Sequence, residues 1–417
     1  MIYNMSRYKL YLEFIRYSLN PKDEFLKDVA KMDWEGFFQF ANEQGILGVA
    51  FVGIQRLGEH GVKPPLDVLM QWIASASLIE QQNKAVNKAA TELFKELKND
   101  GLQGCILKGQ GNGLMYPNVY SRTPGDIDVW VRMADGRGMK AEGRGLKADG
   151  REKKADGRGK REDGRWKKDD VRRPRTYGGR QMDDIRGIIK YVKERNPNGK
   201  VCYHHIDGGK IGGVEVEVHY RPSFMNNPIH NYRLQKWFGE KADEQFSHWV
   251  KLPHSEGTDD SICVPTVEFN VVYQLVHVFR HLLQEGIGLR QIIDYYYVLK
   301  SNTNHTDDTN IIVLLNYLGL TKIAGAMMWL LSEVLGLEEE YLIVPKNECL
   351  GKVLLAEILK GGNFGQYDID NMKVNSQLGK NWQRIRRDIR MMRYFPSECI
   401  WEPVFRVFHF FWRKIYG

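Results

Sequence analysis

The stretch Gly125-Asp126-Ile127-Asp128-Val129-Trp130-Val131 alternates between acidic and apolar residues before it becomes wholly apolar. It predicts a β-strand, on which successive side chains point to opposite faces. Asp126 and Asp128 therefore share one face. Two neighbouring carboxylates repel each other unless a cation lies between them. Because Mg²⁺ binds carboxylate and phosphate oxygens, the pair predicts a metal site suited to a nucleoside triphosphate.

A second alternating stretch, from Val214 to Tyr220, offers a third carboxylate. Its valines and Tyr220 share one face, while Glu215, Glu217 and His219 share the other. Either glutamate would complete a metal site from a neighbouring strand. The alternation alone therefore leaves Glu215 and Glu217 as alternatives.

The chain between these two stretches has room for one α/β unit. Asp126 and Glu217 are 91 positions apart, and residues 133–182 account for 50 of them. The remaining 41 suffice for a helix, whose apolar residues recur from Ile185 to Val192, and for a strand around 201–206. Residues 133–182 therefore interrupt this unit and do not link two domains.

The interrupting segment, residues 133–181, differs in composition from the rest of the chain. Units such as Lys147-Ala148-Asp149-Gly150-Arg151 repeat, and apolar residues are scarce. With 17 Lys+Arg against 9 Asp+Glu between Met133 and Met182, it accounts for the whole net charge of +8. This composition predicts a disordered, basic, low-complexity insertion. Nucleic-acid binding is expected through this segment if anywhere, and a solvated expansion is the favoured interpretation.

A glycine-rich turn precedes the acidic strand. The apolar run Cys105-Ile106-Leu107 predicts a buried strand, and Lys108-Gly109-Gln110-Gly111-Asn112-Gly113 follows it. Glycines at a strand-to-helix junction let backbone N–H groups approach phosphates, and Lys108 would add a positive charge. Taken alone, the pattern fits an ordinary flexible turn better.

Together these segments resemble the nucleotidyltransferases of the DNA polymerase beta-like superfamily. More closely, they resemble a bacterial family of uncharacterised nucleotidyltransferases with the pattern LKG…YP…R…GDIDVWV…EVHYRP. The matching residues here are Leu107-Lys108-Gly109, Tyr116-Pro117, Arg122, Gly125 to Val131 and Glu217 to Pro222, and the likeness continues from Gly286 to Asp294. Two features depart from these patterns: the basic insertion, and Lys108-Gly109-Gln110 in place of the superfamily's Gly-Gly or Gly-Ser.

The resemblance implies transfer of a nucleoside monophosphate from a nucleoside triphosphate to a hydroxyl of a small molecule, glycan precursor or protein. Asp126, Asp128 and Glu217 would be the catalytic carboxylates and the ligands of Mg²⁺ or Mn²⁺, since Glu217 matches the family pattern and Glu215 does not. The implied nucleotide-binding residues are Lys108, Gly109, Gln110 and Arg122. The candidates for substrate contacts are His219, Arg290 and Asp294.

Other interpretations of these residues and of the chain stay open. His219 also fits a structural histidine, and Arg290 and Asp294, four positions apart, fit an ion pair within one helix. His204-His205 fits a structural role better than a ligand role, and the pair His277 and His281 fits a polar groove or the core better than a shared ligand site. A non-catalytic, nucleotide-binding regulatory module and a nucleic-acid binder acting through the insertion are the alternative functions.

The predicted fold class is α+β: a small mixed β-sheet nucleotidyltransferase core flanked by N-terminal helices and a C-terminal helical bundle. We expect a helical N-terminal region at 1–100, the core at 101–260 with the insertion at 133–181, and a C-terminal helical domain at 261–417. In the first region, Asp33 is a predicted N-cap, and helices are expected from Leu66 to Glu80 and from Asn87 to Asn99.

The sequence predicts no integral membrane segment. No apolar run reaches the roughly 18–20 residues of a spanning helix, and the first residues lack the pattern of a signal peptide, which predicts a cytoplasmic protein. The five cysteines contain no CxxC pair and fit buried free thiols. The aromatic segment Trp401 to Tyr416 fits a helix docked on the core better than one lying on a membrane surface.

Overall fold

The protein is described from a computed structural model, which covers residues 8–22, 28–134, 177–253, 260–302, 308–367 and 377–416. Helices surround a small mixed sheet, so the predicted α+β class is confirmed. Residues 135–176 of the predicted insertion lie outside the described residues. Its edges are narrower than predicted, because a strand continues to Met133 and a helix already begins at Tyr177.

The N-terminal part consists of four helices, listed here in chain order: α1 (Lys9–Leu19), α2 (Trp34–Glu43), α3 (Leu47–Glu59) and α4 (Leu66–Asn99). Asp33 caps α2 as predicted, since its carboxylate accepts a hydrogen bond from the N–H of Gly36. The prediction of two helices between Leu66 and Asn99 was wrong. The intervening residues are polar but include no Gly or Pro, so α4 runs unbroken for 34 residues.

The sheet contains four strands in the order β1-β2-β4-β3: β1 (Leu102–Ile106), β2 (Ile127–Met133), β3 (His205–Ile211) and β4 (Val214–His219). β2 pairs antiparallel with β1 and parallel with β4, which makes the sheet mixed. The strand predicted at 201–206 instead begins at His205. Val201 pairs back onto Ile206 in a single antiparallel bridge, so residues 201–204 form the turn that enters β3.

The remaining elements are mostly helical. They are the short α5 (Gln110–Gly113), α6 (Tyr177–Arg195), α7 (Pro228–Gln245), the ribbon of β5 (Trp249–Lys251) and β6 (Ser261–Cys263), α8 (Val267–Gln284), α9 (Leu289–Ser301), α10 (Asp308–Leu318), α11 (Thr321–Trp329), α12 (Glu348–Gly361), α13 (Gln377–Met392) and α14 (Pro396–Tyr416). A π-helical turn, Leu330–Val334, extends α11.

α8 and α9 place the C-terminal helices against the sheet. Both are buried on nearly every face, including the aromatic Tyr273, Tyr295 and Tyr296. A helix that is apolar on all sides belongs inside a protein core. Their polar residues therefore have to face other polar groups, and several of them line the site described below.

Within the described ranges, no single helix has both the length and the apolar character needed to cross a bilayer. Only the two segments 310–318 and 321–334 reach that threshold when taken together, and they are bent by 119° relative to each other.

Candidate active site

Three of the predicted residues meet where β2 and β4 run side by side. Asp128 and Glu217 are register partners in this parallel pair, and Trp130 is the partner of His219. One ligand atom each from Asp128, Glu217 and His219 lie within 4.8 Å of one another. Residues 91 positions apart in the sequence thus form one cluster, because parallel pairing directs these side chains to the same side of the sheet.

Asp126 lies immediately before β2 and borders the same cluster. The negative charge of Asp128, followed by burial, raises the pKa of the Asp126 carboxyl above its ordinary value. Glu217 adds to this increase. The predicted carboxylates Asp126, Asp128 and Glu217 are therefore close enough to repel one another.

Two side chains supply positive charge to this cluster. The ammonium nitrogen of Lys108 lies 3.0 Å from Oδ2 of Asp128. Nε2 of His219 lies 3.1 Å from Oδ1 of Asp128 and 3.5 Å from Oε2 of Glu217. Asp128 is almost fully buried, with 1% of its surface exposed, so it needs such partners to stay charged.

The pKa shifts follow from these contacts. Burial raises the pKa of Asp128, but Lys108 and His219 lower it by more than burial raises it. The net pKa is below the ordinary value, so the carboxyl stays ionised. Burial likewise raises the pKa of Glu217, and the contact with His219 brings it below its ordinary value. Burial lowers the pKa of His219, yet Asp128 and Glu217 raise it above the usual value. Lys108 and His219 therefore compensate the negative charge of the buried carboxylates.

His204, in the turn that enters β3, is held by Arg280. Nη1 of Arg280 donates to Nε2 of His204 at 2.7 Å, and burial lowers the pKa of His204 well below its usual value. A guanidinium at this nitrogen opposes cation binding there. His205 lies nearer the carboxylates, with Nδ1 3.8 Å from Oε2 of Glu217.

Glu215 has a different environment from Glu217. It lies near the start of the same strand, and its side chain is 71% exposed. Its carboxylate forms an ion pair with Lys210 at 3.3 Å. The structure thus brings Glu217 to Asp128 and leaves Glu215 at the surface.

The glycine turn lies beside the carboxylates. Gly109 has φ 70° and ψ −107°, a backbone conformation that residues with a side chain rarely adopt. A Cβ at this position would lie 3.7 Å from the carbonyl oxygen of Asp126. Gln110, the next residue, is buried in the short helix α5. The turn therefore holds Lys108 against the acidic strand.

Arg122 is tied to the C-terminal helices. Its Nε and Nη2 each donate to a different oxygen of Asp294 at 2.8 Å, and Tyr116 donates to the same carboxylate at 2.7 Å. Burial raises the pKa of Asp294, but Arg122 lowers it below the ordinary value, so the buried pair is charged. Asp294 thus forms a bidentate ion pair with Arg122, which precedes β2. The sequence had left open an ion pair between Asp294 and Arg290 within one helix.

A narrow cleft runs from Asp126 and Asp128 to this ion pair. Lys108, Gly109, Asp126, Asp128, Arg122, Arg290 and Asp294 line it, and so do Gln274, His277 and Gln291. Its free volume is about 20 Å³, roughly that of one water molecule. Nη1 of Arg290 lies 3.4 Å from the carbonyl oxygen of Thr123 at the edge of the cleft.

Sequence reasoning did not name Gln274 or Gln291 as site residues, and for His277 it left a polar groove and the core as alternatives, of which the structure shows the groove. The helical spacing of His277 and His281 was visible, but nothing in the sequence indicated which side of α8 faces the sheet. That side is determined by tertiary packing against β2 and the glycine turn.

Comparison with known proteins identifies the family. A family model described as an uncharacterised nucleotidyltransferase matches residues 30–336, which is well over half of the 417 residues. The chain therefore belongs to this nucleotidyltransferase family, a family of phosphorus-group transferases, as its motifs predicted. None of the curated proteins and none of the solved structures compared with the chain matches it.

Proposed function

We propose that this protein transfers a nucleoside monophosphate from a nucleoside triphosphate to a hydroxyl group in a reaction that requires a divalent cation. The hydroxyl oxygen would bond to the α-phosphorus and lose its proton to solvent, while the bond to the β-phosphate breaks and pyrophosphate leaves. The observation that carries the proposal is the meeting of Asp128, Glu217 and His219 at the paired ends of β2 and β4, with Asp126 beside them. The acceptor hydroxyl would belong to a small molecule, a glycan precursor or a protein.

The residues present fit a divalent metal. Three carboxylates provide the oxygen ligands that Mg²⁺ and Mn²⁺ prefer. The buried carboxylates are compensated by the ammonium of Lys108 and by His219, whose pKa is raised. A cluster of this kind is stabilised by added positive charge. We assign Asp126, Asp128 and Glu217 as the ligands.

Such an ion would be held by Asp126, Asp128 and Glu217, and it would neutralise phosphate charge and polarise the α-phosphoryl group towards attack. Glu217, whose pKa is lowered, stays ionised at neutral pH and acts better as a ligand than as a base. Lys108 and the Gly109 turn, both lining the cleft, would hold the triphosphate. Lys108 changes partner in this scheme, from Asp128 to a phosphate oxygen.

The remaining predicted residues have supporting roles in this proposal. Arg122 faces the cleft while its guanidinium is fixed by Asp294, so it would present a charge to the triphosphate without moving. Gln110 is buried and would shape the turn. Since the cleft holds about one water, a nucleotide would enter only as Lys108 and Arg290 move aside.

The test is calorimetric titration of nucleoside triphosphates with and without Mg²⁺ or Mn²⁺. We expect metal-dependent binding by the wild-type protein and its loss in Asp126→Ala/Asp128→Ala, with circular dichroism to confirm that the variant is folded. Transfer of label from an α-phosphate-labelled triphosphate to material in a cell extract would then reveal the acceptor. Binding that ignores both the metal and the substitutions would favour the non-catalytic regulatory alternative and end the proposal.

A further inference from the structure

The last two helices expose apolar residues to an unusual extent. On α14, Ile400, Val404, Val407 and Phe411 recur every three or four residues and form one exposed stripe. Val407 and Phe411 are 59% and 57% exposed. The opposite side of α14 packs on the protein through Cys399 and Trp412, which are buried. The helix thus has a second apolar surface, which is exposed, in addition to the one that packs on the protein.

The preceding helix, α13, has the same character. Trp382, Ile385, Ile389 and Met392 recur at intervals of three and four residues and are all exposed. α13 packs against α14, so the two helices form a hairpin, residues 377–416, with an exposed apolar stripe on each arm. This hairpin lies beyond the residues matched by the family model.

In the hairpin the acidic side chains are buried, while most of the basic side chains are exposed. It contains nine Lys+Arg and three Asp+Glu, and all three acids, Asp388, Glu398 and Glu402, are buried. Six basic residues are exposed, namely Arg384, Arg386, Arg390, Arg393, Arg413 and Lys414. Arg390 is paired with Glu357 of α12 at 2.7 Å. The outer surface of the hairpin itself therefore combines large apolar side chains with five further exposed cations and no exposed acid.

We propose that this hairpin docks on the surface of a membrane that contains anionic lipids. Large apolar residues flanked by arginine and lysine are the features of helices that lie in the lipid interface. Anionic headgroups attract such cations, and acyl chains accept the apolar stripes. The hairpin would lie along the interface.

Charge argues against the two competing occupants. A second copy of the chain, related by a twofold axis, would bring two arginine-rich surfaces together without exposed acids between them, which is unfavourable. The insertion at 133–181 is also basic, so it lacks the charge needed to cover this face. Anionic lipid is the complementary partner.

A large cavity adjoins the stripe on α14. It has a volume of about 800 Å³ and lies between α7 and α14, with a mainly apolar lining that includes Tyr232, Val404 and Phe408. Val404 and Phe408 are also exposed, so the cavity opens on the face that we assign to the membrane. It offers space for part of an acyl chain.

The experiment is flotation of the full-length protein with vesicles of phosphatidylcholine, alone or mixed with phosphatidylglycerol. We expect binding only to the mixed vesicles, and a decrease as salt is raised. Val407→Glu/Phe411→Glu should abolish it. Arg386→Gln/Arg393→Gln should weaken it by about fivefold for each cation removed.

A matched control and a second measurement keep the test decisive. Leu66→Glu/Met70→Glu changes two residues of α4 that are 74% and 56% exposed, and it should bind vesicles like the wild type. Equal binding to both kinds of vesicle, or none to either, would overturn the proposal. So would a stable dimer in sedimentation velocity that Val407→Glu/Phe411→Glu dissociates, since a second copy would then occupy the face. Because the readout is lipid binding, failure here leaves the proposed nucleotidyl transfer unaffected.

Discussion

The ammonium of Lys108 lies 3.0 Å from Oδ2 of Asp128, the carboxylate that pairs in register with Glu217 across the sheet. Burial lowers the pKa of Lys108, but Asp128, Asp126 and Glu217 together raise it above its ordinary value. The lysine therefore supplies part of the positive charge that the three carboxylates need. A divalent cation and Lys108 would compete for the same oxygen of Asp128.

This competition predicts opposite effects of one substitution on two ligands. Lys108→Met should bind Mn²⁺ alone more tightly, by at least about tenfold, because the competing charge is gone. The same variant should bind nucleoside triphosphate with metal more weakly, since a phosphate partner is lost. Electron paramagnetic resonance of free Mn²⁺ and calorimetry with nucleotide measure the two effects. Lys210→Met, at an exposed lysine, is the control, and unchanged Mn²⁺ affinity in Lys108→Met would refute the competition.

The two glutamates of β4 provide a matched pair of variants. Glu217→Gln removes a charge beside Asp128, so metal-dependent nucleotide binding should fall by at least about 100-fold. Glu215→Gln removes the same charge from an exposed position paired with Lys210, and it should leave nucleotide binding unchanged. Calorimetry of both variants decides the assignment. If Glu215→Gln greatly weakened nucleotide binding and Glu217→Gln did not, Glu215 and not Glu217 would be the metal ligand.

The ion pair between Arg122 and Asp294 should contribute strongly to stability. Asp294→Ala leaves a buried guanidinium without its carboxylate, which typically costs about 3–5 kcal/mol. Urea unfolding followed by circular dichroism would measure this loss. Glu348→Ala disrupts the exposed pair with Lys352 and should leave the unfolding midpoint unchanged. If Asp294→Ala unfolds like the wild type but binds nucleotide poorly, Asp294 contacts substrate and does not mainly support the fold.

The glycine turn gives a test of backbone strain. Gly109→Ala forces a side chain into a conformation with φ 70°, so it should destabilise the protein by about 1–3 kcal/mol and shift Lys108. Gly58→Ala, in the helix α3 with open space around it, should be neutral or stabilise by up to about 1 kcal/mol. Urea midpoints and Mn²⁺ affinity report the two effects. Equal midpoints for both variants would show that the turn carries no strain.

The sequence predicted the part of the site that depends on local pattern. Alternation placed Asp128 and Glu217 on strands, and the family resemblance selected Glu217 over Glu215. The single α/β unit between them favoured neighbouring strands, while their register pairing is known from the structure. Two short motifs therefore sufficed to predict that these carboxylates lie close together.

The rest depends on contacts between distant residues, which a local pattern does not encode. Arg122 meets Asp294 across 172 positions, and the cleft residue Gln274 is oriented by the packing of α8. The length of α4 was missed for a similar reason. Its polar middle resembles a loop, yet the buried Asn83 donates to the carbonyl oxygens of Ile79, Tyr120 and Arg122 and fixes that stretch in the fold.

A last prediction concerns pH and the hairpin. Burial raises the pKa of Asp388 to about 7, and the adjacent Glu402 adds to the increase. The folded state thus binds this proton more tightly than the unfolded state, so the stabilisation is present at low pH and is lost as pH rises from about 4 through about 7. Asp388→Asn keeps the position neutral. Its Tm should match the wild type near pH 4 and exceed it by a few degrees above pH 7. Differential scanning fluorimetry across this range measures the difference, with Glu59→Gln at an exposed site as control. A constant or falling difference would show that Asp388 is charged in the folded protein throughout.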